Sequence, residues 1–370
     1  SLCYKGGLKM VRIKLQIFIS MIFILLLLAN CEKNLTGFRY APEYKIACIS
    51  EGIGNLFLFD TGRINHRLLV EGVVIQVVWS PKKSKLVYSI YLGPGDYDTE
   101  LFVFNLLNNQ SKLLADEEGY KFNPIYSPDG QSILYMNANY TTHERKIMLM
   151  KADGSNKKEI YSESFSEFEI VNYYWSNIPG KLIFSRYDQA AEMGELYLFD
   201  IHTQSMQFII APEFSWSAFQ TVDGNKFYYR FDDQANKISG INRVNINEQT
   251  VERIVTFSVP DWNGPFSVLP DGSKIVVSVS SIRQNAWVRD LYQVNTDGSN
   301  LEQLTESTGG DLYDDPAYLP DGSQIIFIHS TLSEREMWGL NPADGEIVHI
   351  TEGNPFTGGS YFFKISSVKF

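Results

Sequence analysis

The chain has 370 residues, of which 44% are hydrophobic and 14% aromatic, and it carries a formal net charge of −11 at pH 7. That length supports one large core or two ordinary ones. The acidic balance excludes nucleic acid and anionic lipid as partners, because both repel such a surface.

The first element is a targeting segment, with Met10 as the expected true start. Val11-Arg12-Ile13-Lys14 is positively charged, and Leu15 to Ala29 is an apolar run broken only by Gln16 and Ser20. These are the n-region and h-region of a secretory signal, in a run shorter than the roughly 20 residues a membrane span needs. The run ends Leu28-Ala29-Asn30-Cys31. This resembles the bacterial lipobox, with Asn30 where Gly, Ala or Ser is usual. The resemblance implies cleavage before Cys31 and acylation of its thiol and new amine, enough chains for stable anchoring. Glu32 follows in place of the Asp that acts as a retention signal, so the expected location is the outer membrane, facing the periplasm or the cell surface. Residues 1–30 are thus read as a signal peptide, 31–42 as a lipidated tether and 43–370 as the folded domain. Without Lys5, Lys9, Arg12 and Lys14, 28 basic residues face 43 acidic ones, so the membrane link is covalent. The remaining thiol, Cys48, lies in the apolar run KIACIS. It reads as a small buried hydrophobe, and no disulfide framework is possible.

The folded part repeats. WSPKKSKLVY (79–88), YSPDGQSILY (126–135), WSNIPGKLIF (175–184), QTVDGNKFYY (220–229), VLPDGSKIVV (268–277) and YLPDGSQIIF (318–327) share one landmark, at spacings of 47, 49, 45, 48 and 50. A degenerate earlier copy starts at YAPEYKIACI (40–49). After each landmark come an apolar strand, a variable loop, a third strand such as ELFVFN (100–105), a polar turn and a fourth strand such as SKLLA (111–115). Asp-Gly at 129–130, 223–224, 271–272 and 321–322 supplies the positive φ that tight hairpins demand. A second Asp-Gly set, at 153–154, 297–298 and 344–345, joins the third strand to the fourth. No window after residue 31 sustains a capped helical pattern. Four short strands at this period predict an all-β protein with a single β-propeller of seven blades, six or eight being the alternatives. The first copy lacks a full inner strand, and Ser360 to Phe370 is a strand-like tail with no copy of its own, so the tail is expected to complete the first blade.

The run of Tyr/Trp-Ser-Pro-Asp-Gly and a later Ala-Asp-Gly-Ser-Asn, best seen in 126–160 and 269–305, resembles the WD-like repeat of TolB-type propellers. The resemblance covers nearly all of Tyr40 to Gly353 and implies the fold; its motif encodes turns, not chemistry. TolB itself joins an N-terminal α/β domain to six blades, so the partner contacts attributed to TolB are not carried over.

The chain has no Gly-x-Ser-x-Gly, no His-Glu-x-x-His, no phosphate-cradling loop and no EF-hand spacing. His66 and His349 fall on fourth strands and His202 in a polar turn, all read as solvated. His143 and His329 lie after second strands, where a propeller-based polysaccharide lyase or other metal-dependent enzyme would gather its ligands. The preferred reading is non-catalytic, with no cofactor and no metal. The loops after second strands and those between blades share one rim, which places Trp216, Asp261, Trp262, Trp287, Tyr313, Asp314 and Asp315 around the mouth of the central channel. Rigid aromatics flanked by carboxylates suit an envelope protein or a glycan. The opposite face carries hairpins expected to be short and uniform. A purely structural envelope role is the remaining alternative.

Overall fold

The computed structural model describes residues 44–350 and 366–369, apart from 51–53, 61–64, 92, 94–97, 166–167, 177, 189, 191–192, 211–218, 222–225, 234, 259–262, 284 and 332–334. The chain divides into Ser1–Tyr40 and Ala41–Phe370; the first part, with Met10 and Cys31, lies outside the described residues.

Every regular element among the described residues is a strand; they form five four-stranded sheets and one eight-stranded sheet, in which units 6 and 7 below are joined by the parallel pair Arg289–Leu312. Unit 1 holds β1 (Tyr44–Ile49), β2 (Leu56–Asp60) and β3 (Asn65–Val70); unit 2 holds β4 (Val73–Trp79), β5 (Lys85–Tyr91), β6 (Thr99–Asn105) and β7 (Gln110–Ala115). Unit 3 comprises β8 (Tyr120–Tyr126), β9 (Ser132–Asn139), β10 (Glu144–Lys151) and β11 (Lys158–Ser164). Unit 4 is β12 (Phe168–Trp175), β13 (Lys181–Asp188), β14 (Met193–Asp200) and β15 (Met206–Ile210). Unit 5 is β16 (Phe219–Thr221), β17 (Lys226–Asp233), β18 (Ile238–Asn245) and β19 (Thr250–Phe257). Unit 6 contains β20 (Asn263–Val268), β21 (Lys274–Arg283), β22 (Ala286–Asn295) and β23 (Glu302–Gln303). Unit 7 contains β24 (Leu312–Tyr318), β25 (Ile325–Ser330), β26 (Arg335–Leu340) and β27 (Ile347–His349). Within each unit, consecutive strands pair antiparallel. The last strand, β28 (Ser366–Lys369), pairs antiparallel with β1, Tyr44 opposite Lys369, so the C-terminal tail supplies the missing inner strand of unit 1 in the order β28-β1-β2-β3.

The turns follow from their residues. In unit 3, Gly130 stands at φ 70° and donates its N–H to the Ser127 carbonyl at 2.8 Å, while Asp129 Oδ1 accepts from the N–H of Gln131 at 3.0 Å. Glycine meets that φ without steric cost.

The second strands read as continuous apolar runs because both their faces are buried. On β5, Leu86 and Tyr88 enter the core shared with unit 1, whereas Val87 enters the core shared with unit 3. On β9, Ile133 and Tyr135 face unit 2, and Leu134 and Met136 face unit 4. The same period-two division holds for Tyr228 against Phe227, Tyr229 and Phe231 on β17, and for Val276 against Ile275, Val277 and Val279 on β21. Each unit thus shares a core with its neighbours in sequence, and each full burial of such a side chain stabilises by about 1.5–3 kcal/mol. At the two ends of the series, Ile46 and Cys48 on β1 and Ile326 and Ile328 on β25 point away from these cores and are still 0% exposed. An open stack would leave those faces wet. Radially arranged four-stranded sheets with both faces covered are a β-propeller.

Candidate functional site

The antiparallel registers bring the start of each first strand, the end of each second and the start of each third to one edge of the sheet: Leu312 lies opposite Ser330, and Ser330 opposite Arg335. The long loops and the inter-unit connections therefore meet at that edge. Trp216, Asp261 and Trp262 lie outside the described residues. The other four sequence-selected residues fall in units 6 and 7.

Trp287 is 46% exposed and stands opposite Ile282, itself 53% exposed, near the tip of the β21–β22 hairpin. Both strands have ten residues, the longest among the described ones. Tyr313 is half-buried: it stacks on His329 with ring centroids 5.0 Å apart and meets Phe327 edge-on at 5.5 Å. Burial raises its hydroxyl pKa. Asp314 is buried and ion-paired with Arg289, whose Nε also donates to Ser280 Oγ at 3.1 Å.

The Arg289–Asp314 pair belongs to a series. Starting from a third strand and ending on the first strand of the next unit, Thr99 Oγ1 donates to the Lys121 carbonyl and Lys121 Nζ to the Thr99 carbonyl, each at 2.8 Å. One unit on, Arg145 reaches the Ile170 carbonyl at 2.7 Å and Glu169 at 2.8 Å. Arg289 with Asp314 repeats this geometry from unit 6 to unit 7. These staples went unread in the sequence, which placed Asp314 at the channel mouth as a ligand contact, whereas the fold buries it against Arg289.

Asp315 differs from its neighbour. Each of the first strands β4, β8, β12, β20 and β24 slips register near its start, and Gln76, Asn123, Asn172 and Asp315 each stand three residues ahead of the start of the landmark. Three of them interlock: the N–H of Asn123 donates to Gln76 Oε1, and Asn123 Nδ2 donates to Asn172 Oδ1 at 2.8 Å. Asp315, at φ 48°, makes no hydrogen bond and no close ion pair among the described residues. Burial, then the Asp314 carboxylate, push its pKa up to about 6 against the pull of Arg335 and Arg289. That repeat position carried the missed signal: an amide in three copies, a carboxylate in the seventh.

The histidines divide. His202 and His143 are exposed, as expected of the first. Of the His66 side chain nothing is described. His349 is not solvated: it stacks on Trp338 at 4.6 Å with Nε2 3.2 Å from Glu336. It sits on a short outer strand against a tryptophan, and that ring covers it. His329 Nε2 lies 3.7 Å from Asp311. Among the described residues no three His, Cys, Asp or Glu come close enough to hold a metal ion.

No protein-family profile matches the chain. Dipeptidyl-peptidase 5 of Porphyromonas endodontalis is 38% identical over 76 residues, 20% of this chain and only 10% of that protein. Of solved structures, the acylaminoacyl peptidase of Pyrococcus horikoshii aligns with a TM-score of 0.63 at 9% identity, over 85% of this chain and 52% of its own. An oligogalacturonate lyase in complex with manganese aligns at 0.58 and 12% identity, over 77% and 82%. The β-propeller domain of the Trilobed protease from Pyrococcus furiosus aligns at 0.55 and 17%, over 75% and 82%. TolB from Acinetobacter baumannii is also among the neighbours, at 0.49 and 14% over 82% and 79%. At these identities the likeness is one of architecture, and it agrees with the sheet order: the chain is an all-β protein with the fold of a β-propeller.

Proposed function

We propose that this chain is a cell-envelope lipoprotein, anchored in the outer membrane through Cys31, whose propeller binds an envelope protein or a glycan at the loop edge of units 6 and 7 without transforming it. Propellers serve peptidases and lyases as well, so the fold does not decide the matter and the argument rests on the site.

The observation that carries the reading is Asp315. A half-buried carboxylate in left-handed backbone, beside a second carboxylate and with no close partner, costs the fold stability. Residues kept at such a cost mark functional sites. A cation or hydroxyl donor on a ligand offsets the cost. The exposed Trp287 and Ile282 near the tip of the β21–β22 hairpin offer rigid apolar area in the neighbouring unit, and carboxylate with aromatic suits a basic side chain presented by a protein.

The test is a screen of purified envelope proteins and glycans against the wild type and Trp287→Ala. A ligand retained by the wild type and lost by the variant, with melting temperature unchanged, supports the reading. New chain ends or unsaturated products released from a glycan would overturn it in favour of a lyase.

A further inference from the structure

The edge opposite the loops carries the hairpins between first and second strands, and these are not uniform. In units 3, 6 and 7 the turn is Pro-Asp-Gly, with Gly130, Gly272 and Gly322 at φ 70°, 75° and 73° and their N–H groups bonded to the carbonyls of Ser127, Leu269 and Leu319 at 2.8 Å. In unit 2 the turn is Pro81-Lys82-Lys83. Its hydrogen-bond frame is the same, Lys83 donating its N–H to the Ser80 carbonyl at 2.8 Å, so Lys83 adopts φ 60° where its sister units place glycine. A side chain in that conformation is strained, and the unit's own repeats show the relaxed alternative. Two lysines thus stand where turn chemistry asks for Asp and Gly.

A cavity of about 310 Å³ opens beside this turn, between units 2 and 3. Lys82, Lys85 and Lys151 line it against one carboxylate, Asp153, whose Oδ1 already accepts from the N–H and hydroxyl of Ser155 at 2.9 and 2.6 Å. Among the described residues none of the three lysines has an ion-pair partner. Tyr126, 9% exposed, also lines the cavity, and its hydroxyl is buried without a hydrogen-bond partner among the described residues. On a chain whose net charge is strongly negative, this is a local excess of positive charge, three ammonium groups against one carboxylate, with an unsatisfied hydroxyl beside it. Its volume is that of a small-molecule site. Ammonium groups act as point charges toward compact oxyanions.

We propose that the cavity between units 2 and 3 binds a phosphate-bearing small molecule through Lys82, Lys85 and Lys151. This site is at the other end of the sheets from the loop edge, and neither reading depends on the other.

The experiment is calorimetric titration of the full-length protein with inorganic pyrophosphate, with sodium chloride at matched ionic strength as the control. The informative variant is Lys82→Asp with Lys83→Gly, which restores the turn of the sister repeats and so does not threaten folding. The wild type binds pyrophosphate beyond the chloride control. The double variant binds at least about tenfold more weakly, with a melting temperature equal or higher, and Lys151→Gln weakens binding severalfold. Three results would each overturn the proposal: no heat beyond chloride, undiminished binding by the double variant, or binding to phosphatidylglycerol vesicles in the absence of pyrophosphate binding.

Discussion

Asp315→Asn removes a charge from the middle of the first strand of unit 7 and leaves almost everything else in place, since Asn tolerates left-handed backbone as Asp does. In the fold, burial and Asp314 hold the Asp315 carboxyl at about 6, against an ordinary value of 3.8. Below about pH 3 both the folded and the unfolded chain keep this proton, and the group is neutral in its effect on stability. As pH rises the unfolded chain ionises first and is favoured. Above about pH 6 the folded chain ionises too, and the deficit levels off at about 3 kcal/mol. Asn carries no such deficit. The variant is therefore expected to exceed the wild type by less than about 1 kcal/mol near pH 4 and by about 2–3 kcal/mol above pH 7, the gap widening between those values. Urea unfolding followed by tryptophan fluorescence across pH 4–8 measures it, and the other carboxylates drop out because they are common to both proteins. A gap that does not vary with pH, or a variant less stable than the wild type above pH 7, would refute the account of Asp315 and remove the observation on which the binding reading stands.

Replacing Cys31 with Ser is expected to release the protein from membranes or leave it unprocessed while the propeller still folds; retention after a carbonate wash contradicts lipidation. Deleting 358–370 removes β28 from its pairing with β1 and is expected to lower the melting temperature far more than an equal cut in a loop. Cys48 is 0% exposed and burial pushes its thiol pKa up, so thiol reagents should label it only on unfolding; labelling of the native protein at pH 8 would place it elsewhere.

The repeat made the architecture legible because turn chemistry and period-two burial are local. Gly130 needs its φ whatever surrounds it, and Leu86, Val87 and Tyr88 read as one apolar run because neighbouring units cover both faces of β5. The strand shared by the two ends of the chain was legible for the same reason: a copy lacking its inner strand and a tail without a copy complement each other. Pairing across units was not legible. Asp314, held by Arg289, and Asp315, with no hydrogen bond or close ion pair among the described residues, read alike in the sequence unless the repeats are aligned, where the amides of three other units stand at the position of Asp315 alone. Tyr313 and Trp287 diverge likewise, one stacked on His329 and the other exposed at a hairpin tip. The expected uniformity of the opposite hairpins failed at Lys82-Lys83, although the departure was written in the turn itself.

The Arg289–Asp314 staple gives the sharpest separation between what the fold uses and what it leaves for a ligand. The two side chains are 9% and 12% exposed, so solvent screens the pair little, and removing one partner strands a buried charge. Arg289→Met is expected to cost about 3–5 kcal/mol. Asp314→Asn in the same background should recover part of that loss, because it removes the stranded carboxylate along with its partner. A double-mutant cycle by urea unfolding therefore returns a coupling of more than about 1 kcal/mol if units 6 and 7 are joined through this pair. The Arg145–Glu169 pair between units 3 and 4, at 11% and 21% exposure, should show the same sign with a smaller magnitude. Coupling below about 0.5 kcal/mol at Arg289–Asp314 would mean that the pair does not hold the units together. Asp314 would then join Asp315 as a carboxylate available to a ligand, and Arg289 would become the residue that a bound cation displaces.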